Sequence, residues 1–205
     1  MMYRDRFAVL AIGLLALGFA SSARAGLVID QQQDNSESFL ASFSTPGSAQ
    51  SFQQSLGNIA GAAVRLQSGV GSGTANITID LYDNLPTLGG SLLRSGTVSG
   101  LLPGQLAMAT WSPLITNFGQ TYYLVFSSSN STFGLAGSAE NPYSLGQAFG
   151  NNYTSFPQFD FAFRTFAEIN ATPEPSSLAL TGAVVAGITI AAMRKRRRSA
   201  IASER

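Results

Sequence analysis

The chain reads as an all-β protein, an antiparallel β-sandwich of jelly-roll type, framed by an N-terminal signal peptide and a single C-terminal transmembrane helix. Three observations lead there. Short apolar runs recur at intervals of roughly ten to fifteen residues, separated by turns rich in Gly, Asn and Ser, which is the spacing of sandwiches and barrels. Through the central region no apolar pattern of useful length follows the helical period. Long uncharged apolar stretches stand instead at the two ends, Phe7 to Ala20 and Ser176 to Met193.

At the N-terminus Arg4 and Arg6 precede the first of these stretches, and Ala23-Arg24-Ala25 sets two small residues two apart before Gly26. That order is a secretory signal peptide over residues 1–25 with its cleavage pair at Ala23 and Ala25. The exported domain then covers 26–171. Its first strand is expected at Leu27 to Asp30, followed by a polar loop from Gln31 to Ser38. Short extended pieces at Phe39 to Phe43 and Ala49 to Phe52 flank the Thr45-Pro46-Gly47 turn, and Ile59 to Gln67 alternates up to the glycine-rich loop Ser68 to Gly73.

Thr74 to Tyr82 has the cleanest alternation, with Ile77, Ile79 and Leu81 against Asn76, Thr78, Asp80 and Tyr82. Weaker strands follow at Leu92 to Val98 and Leu106 to Trp111. Tyr122 to Phe126 lacks polar alternation, as a central strand covered on both faces does. Thr132 to Ala136, Tyr143 to Phe149 and Gln158 to Phe166 complete the set, the last with Phe159, Phe161 and Phe163 on one face and Asp160 and Arg164 on the other.

Residues 172–205 form a three-part tail. Pro173-Glu174-Pro175 is a stiff, extended tripeptide. The eighteen residues 176–193 carry no charge and as a helix reach about 27 Å, close to the thickness of a bilayer's hydrocarbon core. Arg194, Lys195, Arg196, Arg197 and Arg198 then open the segment 194–205, and such a run marks the cytoplasmic side. In this order the tail resembles the PEP-CTERM sorting signal of bacterial surface and secreted proteins, in which a Pro-Glu-Pro motif, one membrane helix and a short basic tail are recognised by an exosortase. The resemblance covers Pro173 to about Arg198. Thr172 stands where the family often has Val, and Ser199 to Arg205 lengthen the usual ending.

The resemblance implies that exosortase is a partner and that Pro173, Glu174 and Pro175 are what it reads. It implies a precursor anchored in the inner membrane of a Gram-negative bacterium, then processed to the cell surface or the extracellular polysaccharide matrix and associated with biofilm exopolysaccharide.

Composition narrows the chemistry of the domain. The chain has no cysteine and no histidine, and its one lysine is Lys195. Disulfides, thiolate or imidazole metal sites, and Ser–His, Cys–His or Ser–Lys nucleophiles are therefore excluded. Between Gly26 and Thr172, Arg65, Arg94 and Arg164 face eight carboxylates, a formal charge of −5, so no nucleic-acid surface is expected. A hydrolytic carboxylate pair would have to come from Asp80, Asp83, Glu140, Asp160 and Glu168, which read as turn residues or solvated strand faces; the domain is read as non-catalytic.

No cofactor is expected, although Asp80, Asp83 and Asn84 are close enough in sequence to contribute to a structural calcium site without forming an ordered loop pattern. The alternative to a passive matrix domain is a carbohydrate-binding module, and a glycan-active hydrolase ranks behind it. Among the aromatics Tyr82, Trp111, Tyr122, Tyr123, Tyr143, Tyr153 and Phe156, the candidates for stacking on sugar rings are Tyr143, Tyr153 and Phe156, near Asn-rich loops; Trp111 and the Tyr122–Phe126 run read as core.

Overall fold

Residues 26–169 are described by a computed structural model of the chain. The signal peptide with Ala23 and Ala25, the Pro173–Pro175 motif, the apolar span 176–193 and the cations Arg194 to Arg198 lie outside the described residues. Among the described residues no helix is long and apolar enough to cross a membrane.

The alternating segments become strands in chain order: β1 (Gly26–Gln33), β2 (Ser38–Ser42), β3 (Ser48–Gln53), β4 (Asn58–Arg65), β5 (Ala75–Tyr82), β6 (Leu92–Leu101) and β7 (Leu106–Ile115). The second half gives β8 (Thr121–Ser128), β9 (Gly134–Ser138), β10 (Ala148–Gly150), β11 (Thr154–Phe156), β12 (Asp160–Phe161) and β13 (Phe163–Ile169). They hydrogen-bond into a four-stranded sheet in the order β1-β13-β4-β7, a six-stranded sheet β11-β10-β3-β8-β5-β6, and a small sheet β12-β9-β2. Every pairing is antiparallel. The first and last strands are neighbours, with Gly26 opposite Ile169.

Period-two patterning decides which face of each sheet is dry. Ala62 and Val64 of β4, Ile77, Ile79 and Leu81 of β5, Leu124 and Phe126 of β8, and Phe163 of β13 meet in one apolar cluster that draws on all three sheets. Phe52, Phe133, Phe161 and Phe163 are fully buried within it, each adding roughly 1.5–3 kcal/mol of transfer free energy. An all-β fold of packed antiparallel sheets results, consistent with the sandwich expected from the sequence. The predicted central strand is central: β8 lies between β3 and β5, and apart from half-buried Tyr123 the run Tyr122–Phe126 is buried. Trp111 packs against the core and its indole N–H donates to the Ile59 carbonyl at 3.1 Å.

Three expectations need correction. The first strand does not stop at Asp30, because after a bulge Gln32 and Gln33 pair with Arg164 and Phe163 of β13. β7 runs on through Pro113 to Ile115; it is an edge strand, where a missing N–H removes no ladder bond that a central strand would need. The segment Tyr143 to Phe149 is mostly loop, extended only as β10, since Asn141 turns the chain at φ +47° and Gly146 lies directly on the Ser51 carbonyl, with no room for a Cβ.

Asp160 is a further correction with larger consequences. Alternation placed it on a solvated face, but it is fully buried. The chain leaves one sheet and enters another at this point, since Asp160 and Phe161 pair with β9 while β13 begins at Phe163. Its side chain turns to β3 instead. Gln50, also fully buried, donates to Oδ1 at 2.9 Å, and the Tyr143 amide donates to Oδ2 at 3.0 Å. Gln50 Oε1 in turn accepts from the Phe161 amide at 2.8 Å, and Gln33 Nε2 reaches the Asp160 carbonyl at 3.3 Å. The one ion pair among the described residues, Arg164 with Asp34 at 2.8 Å, lies elsewhere.

With no cation to balance it, burial raises the Asp160 pKa above the ordinary 3.8, opposed by the bonds from Gln50 and Tyr143. A carboxyl raised in the folded state contributes stability that is fully present below its unfolded pKa and is lost as pH rises through the folded one. In Asp160→Asn that titration is gone, and an amide donor meets a donor, costing about 1–3 kcal/mol. Urea denaturation across pH 3.5 to 7 is expected to show the wild type well above Asp160→Asn at low pH, with the gap narrowing as pH rises; a widening gap would contradict the assignment.

Candidate functional site

The feature that organises the surface is the hairpin formed by β10 and β11. Its three connecting residues, Asn151, Asn152 and Tyr153, all have positive φ, at 48°, 61° and 65°. Left-handed backbone suits the twist of a tight hairpin, and Asn tolerates it, but a tyrosine there costs roughly 1–2 kcal/mol. The Thr45-Pro46-Gly47 turn holds the strained run in place. Asn152 N–H donates to the Pro46 carbonyl at 2.8 Å and Tyr153 N–H to the Gly47 carbonyl at 3.2 Å. Gly47 sits at φ +86° with its missing Cβ 2.6 Å from the Asn152 Cα, so only glycine permits this approach.

The strain delivers the Tyr153 ring to the face of the six-stranded sheet turned away from the principal core. There Ala49, Leu85, Val125 and Phe149 form a small second cluster with Tyr82, Tyr123 and Tyr153 packed around it, all three half-buried. Cross-strand register explains the meeting: Tyr82 of β5 is opposite Tyr123 of β8, and Val125 of β8 lies between Ala49 of β3 and Asp80 of β5. Tyr123 and Phe149 approach with ring centroids 5.9 Å apart. Burial raises the Tyr153 phenol pKa, helped by Tyr82 and the Asp80 charge, so the phenol stays a neutral donor and acceptor at physiological pH. Three amphipathic rings on one sheet face with a carboxylate beside them make a surface suited to polyhydroxylated ligands.

On its other side the hairpin bounds a cleft of about 130 Å³ between β2 and β11. Phe39, half exposed, and Phe156 and Phe159 line it, the last two parallel to within 7° at a centroid distance of 5.8 Å.

The sequence-predicted trio is thus divided. Tyr153 belongs to the tyrosine face and Phe156 to the cleft. Tyr143 belongs to neither, which corrects its reading as an exposed sugar contact. It is buried edge-on against Phe163 at 5.1 Å; its hydroxyl donates to Gln31 Oε1 at 2.9 Å and accepts from the Gln53 amide at 3.3 Å. Burial, opposed by the Gln53 bond, pushes its pKa up to about 12. Asp80 accepts from the Ser95 hydroxyl at 2.5 Å, and Asp83 accepts from the Ser91 amide at 2.6 Å, while the Asn84 side chain braces its own turn. Among the described residues no three acidic side chains gather to hold a metal ion. Tyr82 and Tyr123, the residues that complete the tyrosine face, look in sequence like ordinary strand positions; alternation on β5 put Tyr82 on the outward face, but β8 has no alternation to show where Tyr123 points.

No family model matches the chain, and no curated protein matches it.

The two tyrosines nearest the loops should respond oppositely to truncation. Tyr143→Ala is expected to cost about 3–5 kcal/mol, as loss of a core aromatic does. Tyr153→Gly removes a half-buried ring but relieves the left-handed strain, and the two should cancel to within about 1 kcal/mol. Urea denaturation of both variants checks the pair.

Proposed function

We propose that this chain is an exported, non-catalytic surface or extracellular-matrix protein, delivered through a signal peptide, held by one transmembrane helix over 176–193, and processed by an exosortase at Pro173-Glu174-Pro175. The carrying observation is the order of motif, uncharged apolar span and the cations Arg194 to Arg198 directly behind an all-β domain without cysteine. Pairing of Gly26 with Ile169 supports it: both ends of the domain leave one corner, and residue 173 follows the last described strand residue by four positions.

The domain itself is read as a jelly roll. Numbering β1, β3, β4, β5, β6, β7, β8 and β13 as one to eight, the two large sheets run 1-8-3-6 and 2-7-4-5, the order of a doubly folded Greek key. Replacing Pro173-Glu174-Pro175 by three alanines is expected to leave uncleaved full-length chain in the membrane fraction. A mature C-terminus of unchanged mass in that variant would overturn the sorting reading.

The tyrosine face favours a second reading, a carbohydrate-binding module for the surrounding exopolysaccharide. With a formal charge of −5 between Gly26 and Thr172, neutral glycans suit it better than polyanions at low salt. The double variant Tyr82→Ala/Tyr153→Ala should weaken retention on the producing cell's own polysaccharide at least tenfold, a loss of about 1.4 kcal/mol. Retention equal to wild type would exclude this face as the glycan surface.

A further inference from the structure

The Phe39–Phe156–Phe159 cleft differs in kind from the tyrosine face. It is concave, and not one of its lining residues carries a charge. Its aromatic walls are matched by polar side chains from three segments: Thr45 before β3, Ser48 at the start of β3, and Asn151 in the strained hairpin. None of these three side chains makes a hydrogen bond from its polar side-chain atoms to another described residue, although Ser48 is only 2% exposed. The sealed, unpartnered side-chain polar atoms among the described residues are Gln54 Oε1 and Gln67 Oε1. The Ser48 hydroxyl is not one of them, and Ser48 is a lining residue of the cleft. A nearly buried hydroxyl without a partner among the described residues is a group awaiting one.

We propose that this cleft is a binding subsite for one uncharged pyranose ring of a neutral glycan. The proposal rests on the glycan-binding reading of the domain and adds a second, chemically defined site to it. A pyranose presents an apolar C–H face and a rim of hydroxyls. The face would lie on the phenylalanine wall, and the rim would find Ser48, Thr45 and Asn151 at the cleft's polar edge. An acyl chain or other wholly apolar ligand would strip water from those groups and return nothing, at a cost that grows with each unpaired donor. A uronic acid would bring a carboxylate into a cleft with no cation to meet it. The hairpin separates the cleft from the tyrosine face, so a glycan chain crossing it would engage one site on each side.

The test uses the full-length chain in a zwitterionic detergent free of sugar headgroups, titrated calorimetrically with cellohexaose, maltohexaose and an oligogalacturonate. At least one neutral hexaose should bind, and the oligogalacturonate at least tenfold more weakly. Phe156→Ala/Phe159→Ala should weaken the neutral probe at least tenfold. Ser48→Ala, a change small enough to keep the fold, should weaken it severalfold. If Ser48→Ala and the phenylalanine variant bind as wild type while Tyr82→Ala/Tyr153→Ala does not, the cleft proposal falls and the tyrosine reading stands. If neither neutral hexaose binds, both fall; equal affinity for the oligogalacturonate would overturn the uncharged class.

Discussion

The Asp160 carboxylate, wedged between Gln50 and the Tyr143 amide, is the constraint on which one end of the molecule depends. It joins β3 of the six-stranded sheet, the small sheet and the loop between β9 and β10, alongside backbone bonds such as Ser51 N–H to the Gln147 carbonyl and Asn141 N–H to the Gln158 carbonyl. A buried carboxylate without a cation is costly, and the chain offsets that cost only by directing two N–H donors at it. Once those bonds exist the rest follows. The loop is pinned so that the Tyr143 ring inserts beside Phe163, its hydroxyl reaches Gln31 and Gln53, and β10 is delivered to the free side of β3.

That delivery creates the surface on which function is proposed. β10 can extend the six-stranded sheet only by turning back at once into β11, and the space between β10 and the Thr45–Gly47 turn leaves room for a three-residue left-handed connection. The backbone strain at Asn151 to Tyr153 is held there by the Pro46 and Gly47 carbonyls, which accept from the Asn152 and Tyr153 amides. It places one aromatic ring outward over the sheet and leaves the neighbouring phenylalanines facing sideways into a cleft. Tyr82 and Tyr123 stand on β5 and β8 in any case, whereas Tyr153 and Phe156 reach their places through this hairpin.

How much of this was legible in sequence depended on distance along the chain. β5 was plain, because alternation of Ile77, Ile79 and Leu81 is a local property that one sheet face enforces directly. β8 was plain for the opposite reason, since an unbroken apolar run needs cover on both sides. Asp160 was misread because local parity assumes that a strand stays in one sheet, and here the chain changes sheets between residues 161 and 163. Tyr143 was misread because nearness to Asn-rich loops suggested exposure, whereas its amide bonds Asp160 and its ring turns in against Phe163. Tyr82, Tyr123 and Tyr153 come together through register and a strained turn, neither of which leaves a mark within any window of ten residues. Phe156 was legible as an aromatic beside an Asn-rich turn, but its partner Phe39 comes from the far side of the chain.

The pairing of Gly26 with Ile169 also sets how the domain responds to pulling. Its two ends emerge side by side, so tension between them acts across β1 and β13 rather than along them. The ladder bonds lie in that same direction, perpendicular to the strands. They would break in succession from the open end, as in peeling, and never share the load as they do in shear. A domain tethered at one end alone carries no tension between these two ends, since nothing pulls on the other. Mechanical resistance therefore follows from how the chain is attached, and a second attachment at Gly26 would make it the first pair to open.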